Sequence, residues 1–148
     1  PKHAFLRIME IVYAADRSSY YRARTTYLTK ALLDSDLIQV ENIKAKIPPH
    51  LIASLYDMHA QGLFAVGSIS EAKKLWEYVV GEYFPHNLAS ANAMFQLARI
   101  AYIFDKDNAK AQNYCRILSA NTSFPELDES IRILLEKLKE RKNGNGYP

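Results

Sequence analysis

Apolar residues recur at three- and four-residue spacing along nearly the whole chain, and no stretch alternates with period two over β-branched residues. The pattern predicts an all-α protein. Over residues 3–15, Phe5, Ile8, Ile11 and Val12 fall on one helical face, which Leu6 and Met9 widen. Asp16 and Ser18 offer N-caps for a second helix over 18–34, with Tyr20, Tyr21, Tyr27, Leu28 and Leu32 on its apolar and aromatic face. Asp34-Ser35-Asp36 breaks that helix. A shorter piece over 37–47 then stops at Pro48-Pro49, where two backbone donors are missing and the preceding residue is pushed out of the α region.

From there the pattern sharpens. A helix over 50–66 carries Leu51, Leu55, Tyr56, His59, Ala60 and Leu63 along one side, and Gly67 follows it as the residue best able to take positive φ at a helix end. Ser68-Ile69-Ser70-Glu71 is a capping-box pattern that opens a helix over 69–83, burying Ala72, Leu75, Trp76, Val79 and Val80. Phe84-Pro85 closes this pair, and Asn87 caps the next helix, 88–104, with Ala91, Met94, Leu97, Ala98 and Ala101 inward. Asp105-Lys106-Asp107-Asn108 supplies turn and cap for a helix over 108–120, which turns Ala111, Tyr114, Cys115 and Leu118 to the core. Ser123-Phe124-Pro125-Glu126 starts the last helix, 125–141, with Leu127, Ile131, Leu134, Leu135 and Leu138 inward. Residues 143–148, Asn-Gly-Asn-Gly-Tyr-Pro, are expected to be a flexible tail.

Three markers in this run repeat. Ala60 returns as Ala98 after 38 residues, Ala72 as Ala111 after 39, and Phe84-Pro85 as Phe124-Pro125 after 40. A fixed period of this size marks a solenoid of helical hairpins, none of which can bury its own face alone. On Tyr56, Ala60, Leu63, Gly67, Ala72, Trp76 and Pro85, then Leu97, Ala98, Ala101, Ala111 and Pro125, the chain resembles the tetratricopeptide repeat family. The long period and the junction over residues 81–102 are most similar to the variant in bacterial periplasmic proteins, of the outer-membrane β-barrel assembly lipoprotein and Tol–Pal coordinating types. His59 departs from the family pattern, as does a second turn without glycine, and Leu138 stands where a third copy needs a small residue.

The resemblance implies an α-α superhelix, a right-handed solenoid of antiparallel hairpins forming one domain over 1–142. Within it, 3–47 is a degenerate first hairpin with connector, 50–85 and 87–124 are repeats, and 125–142 is a capping helix. It also implies a binding role without catalysis: a scaffold that takes a peptide or docks in a larger assembly. Residues 62–80 are similar as well to the pentatricopeptide repeat, which implies single-stranded RNA as the alternative ligand. Against that stand Ala60 and Ala98, where that family prefers a larger aliphatic side chain.

In such arrays the first helix of each pair lines the concave surface, which singles out Ser54, Asp57, Gln61 and Phe64, then Asn92, Phe95, Arg99 and Tyr102. Phe95, Arg99 and Tyr102 share a helical face and set a guanidinium between two rings. That suits a peptide with an acidic or carboxy-terminal group and an apolar anchor. The alternative is that the two rings pack against the neighbouring helices.

Composition adds limits. Nineteen basic against sixteen acidic residues leave the chain only mildly basic, short of the dense stripe of a dedicated nucleic-acid binder. The densest basic-aromatic patch joins Tyr20, Tyr21 and Tyr27 to Arg17, Arg22 and Arg24, and reads as tyrosines in the core with arginines in water. Lys137, Lys139, Arg141 and Lys142, interspersed with Glu136 and Glu140, read as a solvated charged face. A single cysteine, Cys115, excludes an internal disulfide and reads as a small core hydrophobe. The four histidines show no metal-ligand spacing, and Asp105 and Asp107 lack the glycine and glutamate of a calcium loop. No cofactor, metal, small-molecule substrate or transmembrane segment is expected. A start at Pro1 without methionine suggests a trimmed chain, soluble as given and cytoplasmic, or periplasmic if a leader was removed.

Overall fold

The computed structural model describes residues 48–142, and every secondary-structure element there is α-helical. The elements are α1 (Pro49–Ala65), α2 (Ile69–Tyr83), α3 (Leu88–Ile103), α4 (Asn108–Asn121) and α5 (Pro125–Lys142). These agree with the periodicity to within a residue or two at each end. The helices expected over 3–34, the piece over 37–47, the tyrosine–arginine patch and the tail over 143–148 lie outside the described residues. The chain divides into two compact units, Pro1–Leu75 and Trp76–Pro148, with the boundary inside α2.

In the first unit α1 starts on Pro49, whose missing N–H falls where a helix needs none. It ends in a Schellman arrangement. Gly67, at φ +90°, donates its amide to the Phe64 carbonyl at 3.1 Å, and the Ser68 amide reaches the Leu63 carbonyl at 2.8 Å. Ile52, Ala53, Leu55, Met58 and Ala60 are buried. Ala72, three residues into α2, is fully buried as well.

The second unit is built around α3. Past its first residue, only Asn92, Gln96, Arg99, Tyr102 and Ile103 reach solvent; every other side chain is buried. Its start is fixed by Asn87, whose side-chain oxygen accepts the Ser90 amide at 2.9 Å. The chain reverses over residues 104–107, and α4 packs back along α3 as a hairpin. Asp107 caps α4 by accepting the Lys110 amide at 3.0 Å. No glycine is present in this reversal. Lys106 takes the left-handed conformation instead, at φ +54°.

One continuous core joins Ala91, Met94, Phe95, Ala98 and Ala101 of α3 to Ala111, Cys115 and Leu118 of α4 and to Leu127, Ile131, Leu134 and Leu138 of α5. Val80 and Phe84, near the end of α2, pack against it. The two Phe-Pro pairs do not occupy equivalent places. Pro85 follows a cis bond in the connector before α3, whereas Pro125 is the first residue of α5.

Two expectations for α5 are corrected. Leu135 is not inward: it is 37% exposed, because it sits about 70° around the helix from the centre of the buried series 127, 131, 134, 138. Arg141 is not part of a solvated face. It continues that series and is buried, only 8% exposed.

Replacing Asn87 with alanine removes the oxygen that holds the first turn of α3, and is expected to cost about 1 kcal/mol of unfolding free energy. Chemical denaturation followed by circular dichroism measures it, with the slope of the transition unchanged.

Candidate peptide groove

The polar stripe of α3 faces a counterpart on α5. Asn92, Gln96, Arg99 and Ile103 recur every three or four residues, as do Glu126, Ser130, Ile133 and Lys137. Between them lies a groove of about 550 Å³, lined by both stripes together with Phe95, Tyr102, Leu127 and Leu134. The side chain of Arg141, in the last turn of α5, donates to the carbonyl of Tyr102, in the last turn of α3. The two helices therefore run in the same direction, with Asn92 and Glu126 at one end of the groove and Ile103 and Lys137 at the other.

Polar groups along the α3 wall are pre-oriented. The Arg99 guanidinium donates to the Gln96 side-chain oxygen at 2.7 Å, and the Gln96 amide donates to Asn92 Oδ1 at 3.3 Å. Ile103 and Ile133 stand exposed on opposite walls and give the groove an apolar half. Glu126 carries negative charge at the opposite end.

Of the eight residues expected to line a groove, Asn92, Phe95, Arg99 and Tyr102 are brought together here; Ser54, whose hydroxyl donates to the His50 carbonyl at 2.8 Å, is not among them. Phe95 serves as floor, belonging to the buried core of the unit, so its ring is mostly spent on packing. Tyr102 is half-buried, and the Arg141 guanidinium carbon lies 3.5 Å from its ring centroid. Asp57, Gln61 and Phe64 belong to the other unit. Asp57 is only 7% exposed and accepts a hydrogen bond from Gln61 Nε2 at 2.9 Å, while Phe64 is half-buried. Sequence reasoning missed the α5 wall, Glu126, Ser130, Ile133 and Lys137. Its signal was present, since Ile133 has no place in the inward series of that helix.

Elsewhere, Cys115 has no exposed surface, and burial pushes its thiol up to about 11. That fits a small core residue. On the outer face of α5, Arg132 bridges Glu129 and Glu136, which lowers the Glu129 carboxyl and raises the Arg132 guanidinium. Both partners are exposed, so the network organises the surface rather than anchoring the fold. Among the described residues no group of three or more His, Cys, Asp or Glu side chains is arranged to hold a metal ion. Likewise, no described helix is long and apolar enough to cross a membrane.

Comparison with known proteins finds no matching family model, no matching curated protein and no matching solved structure.

Two measurements separate the groove's floor from its wall. Phe95→Ala opens a cavity in the core and is expected to cost about 3–5 kcal/mol. Arg99→Ala changes a partly solvated side chain and is expected to stay within about 0.5 kcal/mol of the parent. Urea titrations of the two variants report the contrast. In the same core, the raised thiol makes stability greatest with Cys115 protonated. Stability contributed by Cys115 is present in full at neutral pH and is lost as pH rises toward 11. Replacing Cys115 with alanine is expected to remove that alkaline decline, seen by comparing thermal midpoints of the two proteins across the range.

Proposed function

We propose that this chain is a non-catalytic protein-interaction scaffold of tetratricopeptide-like hairpins, and that the groove between α3 and α5 takes an extended peptide. The observation that carries this reading is the pairing of two side-chain stripes across an open groove, the α3 stripe held in place by its own Arg99–Gln96–Asn92 hydrogen bonds. Supporting the hairpin reading, Ala60, Ala72, Ala98 and Ala111, the recurring small residues, are each fully buried, as close approach of helices requires.

The groove's chemistry narrows the peptide. Asn92 to Ile103 spans about 16 Å along α3, which accommodates roughly five extended residues. Arg99 and Lys137 put positive charge beside the apolar Ile103 and Ile133. A carboxylate next to an aliphatic or aromatic side chain satisfies both features, and its carboxylate end lies toward the last turns of α3 and α5. The mixed walls, with Glu126 at the far end, offer no continuous basic track of the kind that RNA backbones need.

Selection from a displayed pool of random seven-residue peptides with free C termini tests the reading. Enriched peptides are expected to pair a carboxylate with a bulky apolar residue, and fluorescence polarisation should show about tenfold weaker binding to Arg99→Ala or Lys137→Ala, each still folded. Lack of enrichment over a variant carrying both substitutions would overturn the proposal. So would single-stranded RNA binding that falls steeply with salt.

A further inference from the structure

Arg141 is the one arginine or lysine among the described residues that is buried. Taking a guanidinium out of water costs several kcal/mol unless its geometry returns that energy. Here one nitrogen, Nη1, donates to the Tyr102 carbonyl at 2.7 Å and to Asn108 Oδ1 at 2.9 Å, while the guanidinium plane lies over the Tyr102 ring. The Tyr102 carbonyl is among the last four of α3, which have no partner within their own helix. Its neighbours are satisfied locally: Ile100 accepts from the amides of Phe104 and Asp105, and Ala101 from that of Asp107. Tyr102 instead depends on a side chain 39 residues away.

The same Tyr102 lines the groove. One guanidinium thus grips a groove residue by both carbonyl and ring, ties it to the first residue of α4 through Asn108, and does so from α5, the opposite wall. We propose that Arg141 is the positioning residue of the groove. It sets the orientation of Tyr102 and the separation of the two walls at their shared end without lining the groove itself. This inference rests on the groove being the binding site.

Arginine suits the role through its shape as well as its charge. A planar, five-donor group stacks on a ring while bonding two acceptors in its own plane; an ammonium supplies charge and donors but no plate. A lysine at this position should therefore keep α5 docked yet leave the Tyr102 ring loosely held.

The test uses Arg141→Ala, Arg141→Lys and Asn108→Ala in the full chain. Asn108 lies outside the groove, so its truncation loosens Arg141 and leaves both walls chemically intact. Methyl NMR of the free protein follows Ile103 and Ile133 in the groove, with Leu118 in the core as the reference. Polarisation measures affinity for a peptide recovered by the wild-type protein. We expect the two isoleucine methyl signals to move in all three variants while Leu118 stays in place. Peptide affinity should fall about tenfold in Arg141→Ala and about fivefold in Arg141→Lys, the latter with a near-parental thermal midpoint. A folded Arg141→Lys or Asn108→Ala with unmoved isoleucine methyls overturns the inference, whatever its effect on stability. If the wild-type protein recovers no peptide, the binding reading fails by itself and the methyl signals alone decide the role of Arg141.

Discussion

The second unit depends on how completely α3 is buried. A helix covered on nearly all sides must be narrow where others approach it, and Ala91, Ala98 and Ala101 make it so. Small side chains let α4 lie close along α3, and Phe95 belongs both to that core and to the floor of the groove shared with α5. Once those faces are committed, a single strip of α3 is left for water, and that strip is where Asn92, Gln96 and Arg99 fall. The groove is a by-product of this arithmetic of faces: two helices docked on a third surface of their common core, with their remaining polar edges turned toward each other.

How much of this was legible in the chain varies by residue. Helix limits were clear because the boundary residues have few other uses: Asn87 and Asp107 accept the amides expected of N-caps, and Gly67 adopts the positive φ that its neighbours resist. Lys106 shows the limit of that reasoning. It occupies a conformation usually left to glycine, imposed by the reversal between α3 and α4 rather than by its own preference.

Inward and outward faces were harder where apolar residues stand side by side. Leu134 and Leu135 look equally suited to a core, and only the longer series through Leu127, Ile131 and Leu138 separates them. The same series reaches Arg141, yet a charged residue in a basic run suggests water, since its burial requires acceptors on other helices that no local pattern reveals. The α5 wall went unread for a related reason. Treating a final helix as a cap directs attention to its packed side, whereas Ile133 and Lys137 lie on the edge next to it.

The parallel course of α3 and α5 has an electrical consequence. Peptide dipoles in each helix add along its axis, leaving partial positive charge at the start and partial negative charge at the end, roughly half a unit apiece. Side by side and co-directional, the two fields reinforce. Their negative ends coincide where Arg141 is buried and where Lys137 and Lys139 lie, and their positive ends where Glu126 and Asp128 open α5. Part of the cationic character at that end of the groove is therefore already engaged by the backbone. An incoming anion meets a potential weaker than a count of arginines and lysines suggests, and selectivity is left to shape and to directed hydrogen bonds.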